Sequence, residues 1–345
     1  MFEYIFMNWL SFFKDQRLAV DLGNSNTLIT TPDQLLVAQP SCLVVNDANN
    51  HVEAVGEHAL KMMEKTPGLL RPVRPLKGGV IADGDSTRKL LKGLVHMAQG
   101  NRWRRGCRYL ISGVPFDSTN VEKRALREAL QPFGASRTWL VDEPLAAAIG
   151  IGLDIRQPEG KMLVDIGGGI TEIVIISLSG IAASQSLKLA GDNIDDDIAT
   201  FLRKQYNLSI GLRTAEWIKR SLGSVALSPD NHSLPVKGKH IMTGLPSVQT
   251  VTASEIRAVL LPTFTRIERA ILQTLEKCPP ELAADVYRNG IHVTGGNALL
   301  GGIQARWQKQ FGVPIHIDRD PLLAVSKGVS HLLTQPDRYK SILME

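Results

Sequence analysis

From residue 17 onward the chain alternates short apolar runs with stretches whose apolar residues return every three or four positions. The runs suit strands buried on both faces and the stretches suit amphipathic helices, so the pattern predicts an α/β protein. Strands are expected over 18–20, closing on Asp21, and over 27–31 as the return of a hairpin. Residues 57–65 and 85–99 read as helices, 109–114 as a strand stopped by Pro115, and 121–133 as an amphipathic helix. A short strand over 139–141 leads to Pro144 in the first turn of a helix over 144–150, where a missing N–H is harmless. A strand over 162–164 closes on Asp165 and is followed by strands over 172–178 and 181–189. Further helices fit 193–206, 212–222, 252–277, 298–311 and 320–334, and a strand fits 291–293. Residues 224–251 carry Pro229, Pro235, Gly238, Gly244 and Pro246 among β-type runs and read as a small insert with hairpins.

The first seventeen residues form a separate pattern. Phe2, Ile5, Phe6, Trp9, Leu10 and Phe13 fall on one face of a helix, with Glu3, Ser11, Lys14 and Asp15 around it. The expectation is a helix lying in a bilayer interface through its apolar area, because Glu3 and Asp15 offset Lys14 and Arg17. Docking on the protein's own core is the alternative. A secretory signal fits poorly, since no basic start and no small-residue cleavage site are present. Trp103 among Arg102, Arg104 and Arg105 reads as a second membrane-interface anchor, against the alternative of a solvated basic loop.

Composition narrows the picture without deciding it. A chain of 345 residues with 43% hydrophobic and 21% charged residues can build two domains with real cores. The net charge of +5 is mild, and no wide basic stripe accompanies the Trp103 cluster, so nucleic acid is not an expected partner. Three scattered cysteines without a CxxC pair argue for reduced thiols in a cytoplasmic protein. No apolar run is long enough to span a membrane.

The sequence also repeats itself. DLGNSNT at 21–27 echoes DIGGGIT at 165–171, 144 positions on. Each copy is an apolar strand, an aspartate, an apolar residue, a glycine, a tight turn and a threonine. Such a turn brings backbone N–H groups close to phosphate oxygens, and glycine leaves that approach open. Asp21 and Asp165 end their strands, and paired carboxylates near polyphosphate suit Mg²⁺; capping of the turns is the plain alternative. The repeat predicts two related halves facing each other across a cleft. A third element, VTGGN at 293–297, follows a strand and opens a helix, where a bare turn leaves room for a nucleoside.

In this order the three motifs resemble the phosphate-one, phosphate-two and adenosine motifs of the actin, heat-shock chaperone and sugar-kinase superfamily. Segments 66–83, 142–153, 191–219, 244–257, 274–302 and 320–328 are similar to the MreB family of bacterial actins, so the resemblance runs from about 18 to 335. It implies an actin-like fold of two RNase H-like α/β halves, each with a smaller inserted subdomain. The implied parts are a membrane helix at 1–17, subdomain IA at 18–32, 72–145 and 320–345, and IB at 33–71. Subdomain IIA would take 146–182 and 252–319, and IIB 183–251. The resemblance further implies ATP and Mg²⁺, double filaments of the chain itself on the inner face of the cytoplasmic membrane, and work with the cell-wall synthesis machinery in setting rod shape.

Roles carry over residue by residue. Asp21 and Asp165 would hold Mg²⁺, mainly through water. Gly23, Asn24, Ser25, Asn26, Gly167, Gly168, Gly169 and Thr171 would serve the phosphates, although the Thr171 side chain should point to the other face of its strand. Glu143 would orient the attacking water; a carboxylate favoured at a helix N-terminus is the alternative. Glu216 and Lys219 would meet ribose and adenine, unless they form a plain surface pair. Gly295, Gly296 and Asn297 would line the nucleoside side. Two departures matter: Ile170 stands where the family has a hydroxyl, which makes slow hydrolysis the expectation, and Asn297 stands where it has glycine, a position asparagine fills if the backbone turns left-handed. The rival functions are a nucleotide-binding scaffold without turnover and a non-polymerising small-molecule kinase, for which no acceptor pocket is evident.

Overall fold

The computed structural model describes residues 17–99, 107–226 and 232–345. Phe2, Ile5, Phe6, Trp9, Leu10, Phe13 and Trp103 lie outside the described residues. The chain divides into two compact units, one running to Gln157 and resuming at Leu323–Glu345, the other Pro158–Leu322.

The first unit is built on β1 (Arg17–Leu22), β2 (Asn26–Thr30) and β3 (Leu35–Pro40), followed by β4 (Leu43–Asn46), β5 (His51–Val55), β6 (Leu70–Val73), β7 (Leu76–Lys77), β8 (Val80–Ile81), β9 (Tyr109–Val114) and β10 (Arg137–Asp142). Its main sheet has the order β10-β9-β1-β2-β3. β1 runs parallel to β9 and antiparallel to β2. Being central and covered on both faces, β1 is buried from Leu18 to Leu22, which is why its sequence shows no alternation. β4, β5 and β6 make a separate three-stranded sheet. Helices α1 (Gly56–Met62), α2 (Gly84–Gln99), α3 (Asn120–Leu130) and α4 (Glu143–Gly150) complete the unit with the helix Ala324–Thr334. Thr119 and Glu122 cap α3 reciprocally. α4 and Ala324–Thr334 cross at backbone contact: a methyl on Gly150 would lie 1.9 Å from the Ala324 carbonyl oxygen, and one on Gly328 1.7 Å from that of Ala146.

The second unit repeats this plan with β11 (Lys161–Ile166), β12 (Thr171–Ser177), β13 (Gly180–Leu187), β17 (Ile291–Thr294) and β18 (Ile315–Ile317), in the order β13-β12-β11-β17-β18. Between them come β14 (Leu208–Ser209), β15 (Ser233–His240) and β16 (Pro246–Thr252), a small sheet of its own. The helices are α5 (Gly191–Tyr206), α6 (Leu212–Leu222), α7 (Ala253–Lys277), α8 (Pro280–Asn289) and α9 (Ile303–Phe311). One large apolar cluster fills this unit, with Trp307, Phe264 and Ile267 fully buried.

Three expected elements shift. The helix expected over 298–311 is a 3₁₀ turn at Gly296–Leu299 and then α9, because Gly302 takes φ 82° where a side chain would strike Ala226. The helix expected over 57–65 ends at Met62, since Met63 turns extended. The helix expected from 320 begins as a 3₁₀ turn, Pro321–Leu323. The helix Glu143–Gly150 falls wholly within the first unit.

Candidate functional site

The two hairpin turns are built alike. In the first, β1 pairs with β2 so that Leu22 faces Thr27, and the Gly23 N–H closes the turn on the Asn26 carbonyl at 3.0 Å. In the second, Ile166 faces Thr171, and the Gly167 N–H closes on the Ile170 carbonyl at 3.0 Å. The sequence spacing of the two copies is therefore also a spacing in register. At both glycines an added methyl would press on the same turn carbonyl, at 3.0 Å for Gly23 and 3.1 Å for Gly167.

The turns are supported from behind by different groups. In the first, Ser41 Oγ donates to the Gly23 carbonyl at 2.6 Å and lies 2.8 Å from Thr27 Oγ1. Asn24 is buried, and its Oδ1 accepts from the Gly79 N–H at 2.9 Å, so that oxygen anchors the neighbouring loop rather than facing a ligand. Ser25 is half-buried and Asn26 exposed. In the second, the Asp192 N–H donates to the Gly168 carbonyl at 2.8 Å, and Asn297 Nδ2 to the Gly167 carbonyl at 2.5 Å. Gly168 is half-buried and Gly169 buried.

Four expectations need correction. Thr171 is fully buried and its hydroxyl donates to the Leu189 carbonyl at 2.7 Å, so the side chain braces the sheet and leaves only its backbone near the turn. Lys219, expected with Glu216 at the ribose and adenine or otherwise in a surface pair with it, is engaged elsewhere in the protein. It is buried and paired at 2.9 Å with Asp195 on α5, and it also donates to the Gly191 carbonyl at 3.1 Å. Burial pushes the Asp195 carboxyl up to about 7, and Lys219 opposes that rise. Asn297 is not left-handed; Gly295 is, at φ 84°, where a side chain would meet Ile166 and the Asp165 carboxylate. The turn Gly295–Gly296 opens a 3₁₀ turn rather than a long helix.

Asp165 sits at the end of β11 and accepts from Thr294 Oγ1 at 2.9 Å. Loss of solvation pushes its carboxyl up to about 6, only partly offset by that bond. A hard cation beside it would reverse that cost, and a carboxylate is the donor Mg²⁺ prefers, so Asp165 fits the metal. Asp21 holds the equivalent place in the first unit and is buried. Glu143 opens α4 and lines a small pocket with Leu22, Gly79, Gly113, Ser118 and Glu122. A methyl on Gly113 would lie 2.9 Å from Glu143 Cγ, so bare backbone on β9 makes room for this carboxylate. Glu216 is half-buried on α6.

The model of the MreB/Mbl protein family matches residues 15–341. The chain belongs to the MreB/Mbl family. It is 37% identical to the cell shape-determining protein MreB of Escherichia coli over 93% of this chain and 94% of that one. The cell shape-determining protein Mbl of Bacillus subtilis is also 37% identical, over 93% and 96%. The crystal structure of MreB5 of Spiroplasma citri bound to AMPPNP superposes with TM-score 0.88 at 34% identity, covering 95% of this chain and 98% of that one. The fold is accordingly actin-like, and this MreB/Mbl-family chain is a cytoskeletal protein of the cell-shape class. No helix among the described residues is long and apolar enough to cross a membrane.

Sequence reading missed Ser41, Gly79, Gly113 and Asp195, and the bond that Thr294 of the VTGGN motif makes to Asp165. Each acts through a partner far along the chain, such as Thr294 on Asp165, and no local spacing marks it.

Proposed function

We propose that the chain binds ATP with Mg²⁺ through its two phosphate turns and assembles with copies of itself into double filaments. The filaments lie on the inner face of the cytoplasmic membrane and organise cell-wall synthesis, which sets rod shape. The observation that carries this reading is the repeated turn: two glycine hairpins in one register, each preceded by a strand-end aspartate, in a chain whose relative was solved with a nucleotide analogue. Asp21 and Asp165 would hold Mg²⁺, which when bound neutralises phosphate charge. The turns offer backbone N–H groups to phosphate oxygens, Gly295 and Gly296 keep the nucleoside side bare, and Glu216 lies along its rim. Glu143 accepts a hydrogen bond from water and draws its proton during a slow hydrolysis. Four subdomains belong to this reading, with 146–157 in the first unit and 320–322 in the second, as do the membrane contacts of residues 1–17 and Trp103.

Electron microscopy with ATP and Mg²⁺ on lipid vesicles, with and without residues 1–17, tests the assembly. Filaments on vesicles that detach on truncation are expected; bare vesicles in both cases contradict it. A scaffold without turnover is the second reading, favoured by Ile170 at the phosphate turn. Phosphate release from the wild type and from Glu143→Ala separates the two: a fall of about 100-fold or more marks an ATPase, and equal near-zero rates mark a scaffold.

A further inference from the structure

Asn297 is 6% exposed, and its amide is aimed at the phosphate turn instead of at a ligand. Its Nδ2 donates to the Gly167 carbonyl at 2.5 Å and lies 3.4 Å from the Ile166 carbonyl. The Gly191 N–H reaches the same Gly167 oxygen at a longer 3.2 Å. Gly191 has to be bare for this, because a methyl there would lie 2.7 Å from Nδ2.

No peptide bond here is cis, so the Gly167 carbonyl and the Gly168 N–H share one plane and point in opposite directions. Holding the carbonyl from behind therefore fixes the N–H toward the front of the turn. A peptide between two glycines flips easily, since neither has a side chain to favour one orientation. Flipped, it would turn a carbonyl oxygen toward an anion and repel it.

We propose that Asn297 is a positioning residue: its amide locks the Gly167–Gly168 peptide so that the Gly168 N–H faces a bound phosphate group. The inference rests on the nucleotide reading above and adds the residue that keeps the turn in its binding form. The first unit shows the same device on the equivalent glycine, where Ser41 Oγ holds the Gly23 carbonyl at 2.6 Å.

Asn297→Asp, which keeps the shape and replaces the donor, and Asn297→Ala test it in the full chain. MgATP, MgADP and adenosine are titrated calorimetrically into each variant and the wild type. Both variants are expected to lose about tenfold in affinity for MgATP and MgADP, the worth of one good hydrogen bond, while adenosine affinity stays unchanged. In the wild type, the Gly168 amide resonance is expected to shift on adding MgATP and to stay put with adenosine. Equal losses for all three ligands would show a merely structural role and overturn the proposal, as would unchanged MgATP affinity or a silent Gly168 amide. If the variants fail to fold, the wild-type resonance decides. A wild type that binds neither nucleotide sinks the nucleotide reading itself and takes this inference with it, a result visible without any variant.

Discussion

The two units carry the same five-stranded plan, the same hairpin register, the same closing bond at Gly23 and Gly167 and a side-chain donor on each of those carbonyls, yet the rest of the support differs. The first turn leans on neutral groups: a serine hydroxyl and a buried asparagine that holds the Gly79 loop. The second leans on the N-terminus of α5, on Asn297, and through Gly191 on the buried Lys219–Asp195 pair. The strand register sets the shape of a phosphate turn, while groups from outside the hairpin set its rigidity. The second unit places a buried ion pair behind its turn, whereas Ser41 and Asn24 behind the first are neutral, so the two respond differently to mutation and to pH.

Removing the charge tests that difference hardest. Lys219→Met leaves Asp195 buried without its partner, and breaking such a pair costs about 3 to 5 kcal/mol, the lower end applying if Asp195 takes up a proton. Chemical denaturation should show the loss, and amide exchange should place it in Pro158–Leu322. A change below about 1 kcal/mol would mean that the pair does not brace the second turn.

Acid should separate the units next. Where the first sheet pairs Ile111 with Trp139, the second pairs His292 with His316, the rings stacked at 4.9 Å. Burial, with His316 and Lys161 nearby, pushes the His292 imidazole down to about 4. The unfolded chain therefore binds the proton first, and stability falls as pH drops from about 6.5 toward 4, by up to about 3 kcal/mol. Asp165 works in the opposite sense: with its carboxyl raised to about 6, its contribution falls as pH rises from about 4 to 6. The measurement is thus the wild type minus His292→Leu, by denaturant titration across that range. A difference that does not change with pH contradicts the assignment.

The smallest effect belongs to the neutral support. Ser41→Ala removes the hydrogen bond to the Gly23 carbonyl and the contact with the buried Thr27 hydroxyl, and should cost about 1 to 2 kcal/mol, independent of pH. A loss as large as that of Lys219→Met would erase the contrast between the turns.

Much of the frame was legible in the chain. The hairpins at Asp21 and Asp165 announced themselves because strand, aspartate, glycine and threonine recur locally, and Pro144 marked α4 by its place in a first turn. α8 gave little local signal, since Pro279 and Pro280 look like breakers although Pro280 opens the helix. β3, β5 and β18 are short and mixed in pattern, and their pairing is decided by neighbours distant in sequence. The site followed the same rule. Residues that form the turns were readable; Asn24 and Asn297 were readable as site residues but not as the groups that hold the turns, and Ser41 and Asp195 were not readable at all. Resemblance places Lys219 with Glu216 at the nucleoside and spacing offers a surface pair instead, but neither says anything of Asp195 on another helix.

The most direct test of the account is calorimetric titration of MgATP into the purified full chain. The account predicts saturable heat with one nucleotide bound per chain, weakened by Asp165→Asn. A well-folded chain that gives no heat with MgATP would contradict it.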